Sequence, residues 1–426
     1  MNLIKMSVHM LLQSFKNHMY YVCMILFVTM ISFLFSHITE NPYLLYATST
    51  GNNNVPLIAV SRFVIFIIIA FAVSLAIYAY TYLLTKKSNE LKILKVSGGS
   101  LKKIGIFLFI QNMVMMIIVT IVGIILGAII TPLINYIIYN FLDIHAKYID
   151  YNMHAIITTI QINIMILIAT TLLGIGHVYR NEITNLSEAQ SDWTKDKRMI
   201  KFPTASHIFL YLAGIIMFVT SKEVTGAAIA FSIIGCCGAS GIIRIKLCEK
   251  IKQLNQEKYH EDKIKNISRN NLIHSLKKGN FVILGLLFCS TVMLSWSIAT
   301  IENPSEFIIS LIAYIISILL LLSSTLCRYL VDLEKRNQKF KLLYKIGYSY
   351  QDIKSIITRE IADYYIVIVA FSIIYILLIF LHPLLYRRLS ILTAIAIFMF
   401  YIISICMTTI ITIKISINSI KQELKG

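Results

Sequence analysis

Lys86-Lys87-Ser88-Asn89-Glu90-Leu91-Lys92-Ile93-Leu94-Lys95-Val96-Ser97-Gly98 stands between two long apolar runs, residues 63–85 and 106–130. The plan returns as Lys335-Arg336-Asn337-Gln338-Lys339-Phe340-Lys341-Leu342-Leu343-Tyr344-Lys345-Ile346-Gly347, again with an apolar run on each side. Each copy reads as a basic helix, ended by glycine, that joins two membrane spans. Anchoring of Lys and Arg at lipid headgroups explains the charge. It does not explain why Glu90 to Gly98 and Lys339 to Gly347 are both eight residues apart.

Outward from these elbows the chain is oily. Apolar residues make up 57% and charged residues 14%, where a soluble domain carries about 25% charged. Ten apolar runs recur, at 19–36, 63–85, 106–130, 154–178, 206–221, 224–243, 280–299, 307–327, 361–381 and 391–413. Runs of about this length cross a bilayer as helices. None alternates with the period of two that a barrel strand of ~10 residues requires. The fold class predicted is an all-α polytopic membrane protein. Its ten transmembrane helices form two parallel four-helix repeats joined by a two-helix hairpin.

The repeat extends beyond the elbows. Residues 1–17 form an amphipathic lead, with Lys5, His9, Gln13 and Lys16 in a polar stripe, and no cleavable signal peptide is expected. Asn271 to Lys278 leads into the seventh run in the same way. The first run ends at Thr39-Glu40-Asn41-Pro42 and the seventh at Ile301-Glu302-Asn303-Pro304. Both halves start on the same side, so the repeats are parallel. The resulting division is 1–180 for the first four-span unit, 181–262 for linkers around the hairpin, and 263–426 for the second unit.

Charge sets the orientation. With the N-terminus inside, only Arg62, Lys147, Lys222, Arg387 and Arg388 among the 39 Lys and Arg residues fall outside. The positive-inside rule then puts both termini in the cytoplasm. It also accounts for the net charge of +18 without any nucleic acid partner. The seven cysteines lie in spans or inner segments, so no extracellular disulfides are expected. Adjacent Cys236 and Cys237 read as packing rather than a metal pair. All six prolines fall at or beyond span ends, which predicts unbroken spans. Acids are scarce inside the spans, and Asp363 sits near an inner end. Proton or sodium relays need ionisable groups at depth, which argues against a secondary transporter.

Within the elbows, Gly98-Gly99 suits a left-handed helix end, and Ser100 suits the cap of the next helix. The second copy offers Gly347 and a Ser349/Asp352 capping box. Apolar tips at Leu94 and Val96, and at Leu343 and Ile346, are suited to insertion into a groove of a soluble partner.

At these residues the chain resembles the FtsX-like permeases of ABC transporters. Gly123 and Gly127 in Ile104–Ile130 are similar to that family's small-residue packing step in its third span. The ten-span plan with two such units looks most like BceB-type permeases of antimicrobial-peptide resistance systems. Here, however, only Thr300–Glu306 stands where those carry a large extracellular domain.

The resemblance implies that the elbows are coupling helices for a separate ABC ATPase, one per elbow and two copies in all. The residues concerned are Lys86, Lys87, Glu90, Leu94 and Gly98, with Lys335, Arg336, Leu343, Ile346 and Gly347. ATP hydrolysis would then drive mechanotransmission, exporting or extracting an amphipathic, membrane-partitioned substrate such as an antimicrobial peptide. No phosphate-binding G-x-x-x-x-G-K-[ST] motif, metal-ligand set or catalytic constellation occurs, so the chain is not read as an enzyme and needs no cofactor.

Glu40 and Glu302 mark a substrate mouth, or else cap turns. Tyr43, Tyr46, Tyr136, Tyr139, Phe141, Tyr148 and Tyr151 in the outer segments offer substrate contacts, but read first as an interfacial belt. An ATPase-coupled signalling or scaffold protein, with a histidine kinase as partner, is the alternative, and membrane lipids are partners in either case. The expected location is the bacterial plasma membrane.

Overall fold

The computed structural model describes residues 5, 7, 9–11, 15–43, 57–150, 152–184, 204–220, 226–257, 262–301, 304–385 and 389–425. Among them the regular structure is helical, with no strand. In hydrocarbon there is no water for unpaired backbone groups, and a helix satisfies them within one segment. The residues fall into two compact units, Met1–Lys201 and Phe202–Gly426.

The first unit contains α1 (Phe15–Thr39), α2 (Leu57–Lys86), α3 (Ser88–Val96), α4 (Leu101–Phe141) and α5 (Met153–Thr184). Helix α1 packs on α2, α4 and α5, and α5 also packs on α2 and α4. Lipid tails are as apolar as leucine, so close approach and polar contacts hold such helices together. Gly123 and Gly127, one turn apart on α4, lie against α1. A Cβ at Gly123 would stand 2.7 Å from Thr29 Cγ2, and one at Gly127 would stand 2.6 Å from Phe33 Cδ1.

Polar bridges cross the same bundle. The Tyr21 hydroxyl donates to Asn112 Oδ1 at 2.7 Å, and Asn112 Nδ2 donates to Thr170 Oγ1 at 2.8 Å. Thr29 donates to Asn163 Oδ1 at 3.3 Å, and Asn163 Nδ2 donates to Thr120 at 2.9 Å. Each such bond contributes about 0.6 kcal/mol inside a membrane.

The second unit opens with α6 (Thr204–Thr220) and α7 (Gly226–Ile242). Helix α7 runs on through a π-helical turn at Ile243–Leu247 into α8 (Cys248–Glu257). There follow α9 (Lys263–Lys278), α10 (Asn280–Phe288), a second π-helical turn (Cys289–Met293), α11 (Leu294–Ala299), α12 (Pro304–Lys345), α13 (Tyr350–Leu385) and α14 (Ile391–Lys425). The run from α10 to α11 packs on α12 and α13, and α14 packs on α12 and α13. These pairings match α1 with α2 and α4, and α5 with α2 and α4. Helices α6 and α7 pack together, α7 on α10 and α6 on α13, so the hairpin lies within the second unit.

Seven described helices are long and apolar enough to cross a membrane. An eighth is added if α9 and residues 282–298, bent by 69°, count as one span. The chain is an all-α polytopic membrane protein. The predicted ten is not reached on this measure. Helices do occupy all ten runs, but α6 and α7 have 17 residues each, about 25 Å at 1.5 Å per residue.

The expected placement of all six prolines at or beyond span ends needs correction. Helix α4 continues through Pro132 to Phe141, and the seventh span carries the π-helical turn at Cys289–Met293. At Cys289–Met293 the run brings Thr291 Oγ1 within 3.1 Å of Cys236 Sγ on α7. Cys236 is buried and Cys237 exposed, so the two side chains point in different directions.

The close approach of α4 to α1 is directly testable. Gly127→Leu, which drives side-chain atoms into Phe33, should lower stability by about 1–3 kcal/mol, seen as an earlier thermal transition in detergent. Gly176→Leu, where a Cβ meets nothing within 4 Å, should leave the transition in place.

Candidate functional site: the two elbows

In the first elbow, a turn at Lys87 (φ −84°, ψ 2°) separates α2 from the nine-residue α3. In the second, α12 runs on without a turn to Lys345. From the sequence, Glu90 to Lys95 read as continuing the helix of the preceding span, and the second elbow as helix to Lys345, so the turn at Lys87 is a correction. Both elbows end on a glycine with positive φ, +84° at Gly98 and +107° at Gly347. A Cβ at either would meet nothing within 4 Å. Conformation rather than space therefore selects glycine, because an L side chain in this region costs about 1–2 kcal/mol.

The next helix starts as predicted. Ser100 Oγ accepts from Lys103 N at 3.4 Å. Ser349 Oγ accepts from Asp352 N at 3.1 Å, while Asp352 Oδ2 accepts from Ser349 N at 2.9 Å.

Both tips are apolar and exposed. Val96 is 89% exposed and Ile346 75%, and Ile93, Leu342 and Tyr344 are exposed beside them. Leu94 and Leu343, predicted as tip residues, are half-buried. Leu91 and Phe340, at matching positions, are buried and seat each elbow on its unit. Lys86 Nζ lies 5.4 Å from the Tyr82 ring centre. Lys335 and Lys339 are exposed, and Glu90 is half-buried.

Lys87 and Arg336, predicted to face a partner, instead point inward. Lys87 is 1% exposed and donates to Gln111 Oε1 on α4 at 2.7 Å. Gln111 Nε2 in turn donates to the backbone carbonyl of Ser7, on the helical lead residues, at 3.1 Å. Arg336 is 6% exposed and makes a two-pronged contact with Glu360 on α13. Its Nη1 lies 3.1 Å from Oε2 and its Nη2 lies 2.9 Å from Oε1. Glu360 is fully buried and accepts from Ser275 Oγ, on α9, at 2.8 Å.

A second arginine completes this base. Arg328 Nη2 donates to the Ser275 carbonyl at 2.7 Å and pairs with Asp332 at 3.3 Å. Gly279 makes room for it, since a Cβ there would collide with Arg328 Nη1. Helix α9 itself is capped by Asp262, which accepts from Lys265 N at 3.1 Å. That bond holds the Asp262 carboxyl below the usual carboxylate range. Arg328, Asp332, Arg336 and Glu360 are thus buried just beyond the apolar runs 307–327 and 361–381, and each has a partner of opposite charge.

At the opposite end of the first unit, Glu40 Oε1 accepts from Thr158 Oγ1 at 2.9 Å, and the Glu40 carbonyl accepts from Asn152 Nδ2 at 2.8 Å. Glu40 ties the end of α1 to the start of α5. Tyr46, Tyr151 and Glu302 lie outside the described residues. Nearby, Asn41 donates to the Tyr139 hydroxyl at 2.7 Å. A cleft of about 720 Å³ is lined by Tyr43, His145, Lys147, Tyr148, Ile149 and Asp150. No group of three or more metal-ligating side chains occurs among the described residues.

Residues 62–181 match the FtsX-like permease C-terminal family. Over that stretch, a little over a quarter of its length, the chain is similar to FtsX-like permeases. The match runs from α2 through the first elbow and α4 into α5, and so includes Lys87, Gly98 and Gln111. FtsX-like permeases are membrane transport components that typically partner with an ABC ATPase, and the match suggests a permease subunit of an ABC transporter. Comparison with curated proteins found no match.

Two measurements follow from the elbow bases. Breaking the buried pair with Arg336→Met strands the Glu360 carboxylate and should cost about 3–5 kcal/mol, whereas Arg336→Met with Glu360→Met should restore most of it. Thermal unfolding in detergent reads both. For Lys87, burial pushes the ammonium down to about 8, with Glu90 opposing the shift. An unfolded lysine titrates near ~10.4. Between these values the unfolded chain holds more protons, so stability rises with pH through the window and is lowest below it. The stability of the wild type relative to Lys87→Met should therefore increase from about pH 8 to pH 10.

Proposed function

We propose that this FtsX-like chain is the permease subunit of an ABC transporter, with its elbows docking into two copies of a separate ATPase subunit. The observation that carries this reading is the pair of exposed apolar tips, Ile93 with Val96 and Leu342 with Ile346, each ended by a positive-φ glycine. A soluble groove that accepts such a tip removes apolar surface from water, at about 25 cal/mol per Å². The elbows face the cytoplasm of a bacterial cell, together with both termini.

The organisation proposed is two parallel four-span units, 1–180 and 263–426, with the hairpin and its linkers at 181–262 between them in sequence, the hairpin packing with the second. ATP hydrolysis moves the elbows, and the spans carry that motion to the far side. The substrate is amphipathic and held in the membrane, of the kind represented by an antimicrobial peptide, and is extracted or exported. Among the described helices α4, α5 and α14 leave broad exposed apolar faces, as on Ile117, Ile121 and Ile125 of α4, from which such a molecule enters sideways.

Solubilised from its host, the wild type should copurify with an ABC-type ATPase. Val96→Asp with Ile346→Asp should lose that ATPase while keeping the wild-type thermal transition, because both side chains are exposed. Retention of the ATPase by the double variant, or its absence from the wild type, removes the docking role.

A further inference from the structure

The bases of the two elbows correspond residue by residue. Lys87 and Gln111 are 24 residues apart, and so are Arg336 and Glu360. In each unit the acceptor stands on the third span and also bonds a serine of the lead helix, Ser7 or Ser275. Three elements that are distant in sequence thus meet at one buried polar point, twice, with different residue types. Apolar side chains of similar volume usually give as much stability at a buried site as a charged pair. What the polar contact adds is direction, because it is made in one register only.

We propose that Lys87 with Gln111, and Arg336 with Glu360, are latches that bind each elbow to the lead helix and third span of its own unit, so that the three move as one body. Motion given to an elbow is then delivered to the lead helix, and through it to the first span, as well as to the two spans the elbow joins. The latches are unequal. The second is ionic and two-pronged, the first a single charge-assisted bond to a neutral amide, placed where α2 turns into α3. Delivery is tighter in the second unit than in the first. The use of this motion rests on the elbows being docking sites; the existence of the latches does not.

The test uses the full chain with its seven cysteines replaced and spin labels placed in pairs. One pair sits on exposed Lys5 and Val96, the other on exposed Lys263 and Ile346. Distances are read by pulsed electron spin resonance in detergent. The second pair should give the narrower distribution. Lys87→Met should broaden only the first pair and Arg336→Met only the second. Because Arg336→Met is destabilising, Arg336→Lys with Glu360→Gln serves beside it. This exchange keeps a bonded pair and should bring the second distribution to the width of the first. Lys87→Arg with Gln111→Glu should narrow the first distribution toward the second.

Distributions that ignore these variants, or that broaden in both units at once, overturn the latch. With a copurifying ATPase, ATP and vanadate should leave both lead-to-tip distances unchanged in the wild type, and a shift in either overturns the single body. If no ATPase copurifies, the docking role fails while the first measurements still decide the latch.

Discussion

A cation removed from water needs an acceptor in reach, and Lys87 and Arg336 meet that need in the same place. Each sits where a span becomes an elbow, and each finds its acceptor on the helix that returns after the glycine turn. That requirement fixes how far the elbow projects before the chain reverses, which third-span face turns inward, and where the lead helix lies. The capped starts at Ser100 and Ser349 and the left-handed glycines are consistent with the same geometry. The remaining contacts of each bundle, small residues and scattered hydroxyl and amide bridges, are individually weak and act in number.

Much of this was legible in the sequence. Long apolar runs with few charges leave a helix as the one local solution in a bilayer. The matched elbows, their glycine ends and the Ser349/Asp352 box follow from local chemistry, which needs no knowledge of neighbours. The approach of α4 to α1 at Gly123 and Gly127 was likewise readable, because small residues one turn apart lie on one face.

The inward direction of Lys87 and Arg336 was not. A basic residue at a span end reads as a headgroup anchor, and its true partner lies 24 residues on, across a turn. The spacing of Gln111 from Lys87 and of Glu360 from Arg336 was available as a signal, but only once the repeat had been aligned beyond the elbow itself. Glu360 was missed for a related reason: a single acid near a span end looks solvated until its arginine is found. The π-helical turn at Cys289–Met293 was not read from the sequence, and the residue it sets against Thr291, Cys236 on α7, lies 55 positions away. Pro132 reads as lying past a span end, yet α4 carries on through it, as membrane helices do where neighbouring helices re-satisfy the freed backbone group.

The tips have a different standing from everything behind them. Val96 and Ile346 are largely exposed, and the glycines that follow contribute backbone shape alone. Substitution at a tip therefore carries almost no folding cost, while the angle and depth at which the tip is presented stay fixed by buried residues. With the docking role proposed above, recognition and architecture are written in separate residues, so that the chain is free to exchange one docking partner for another by a handful of surface changes, each neutral to its own fold, and its two tips are free to diverge from each other.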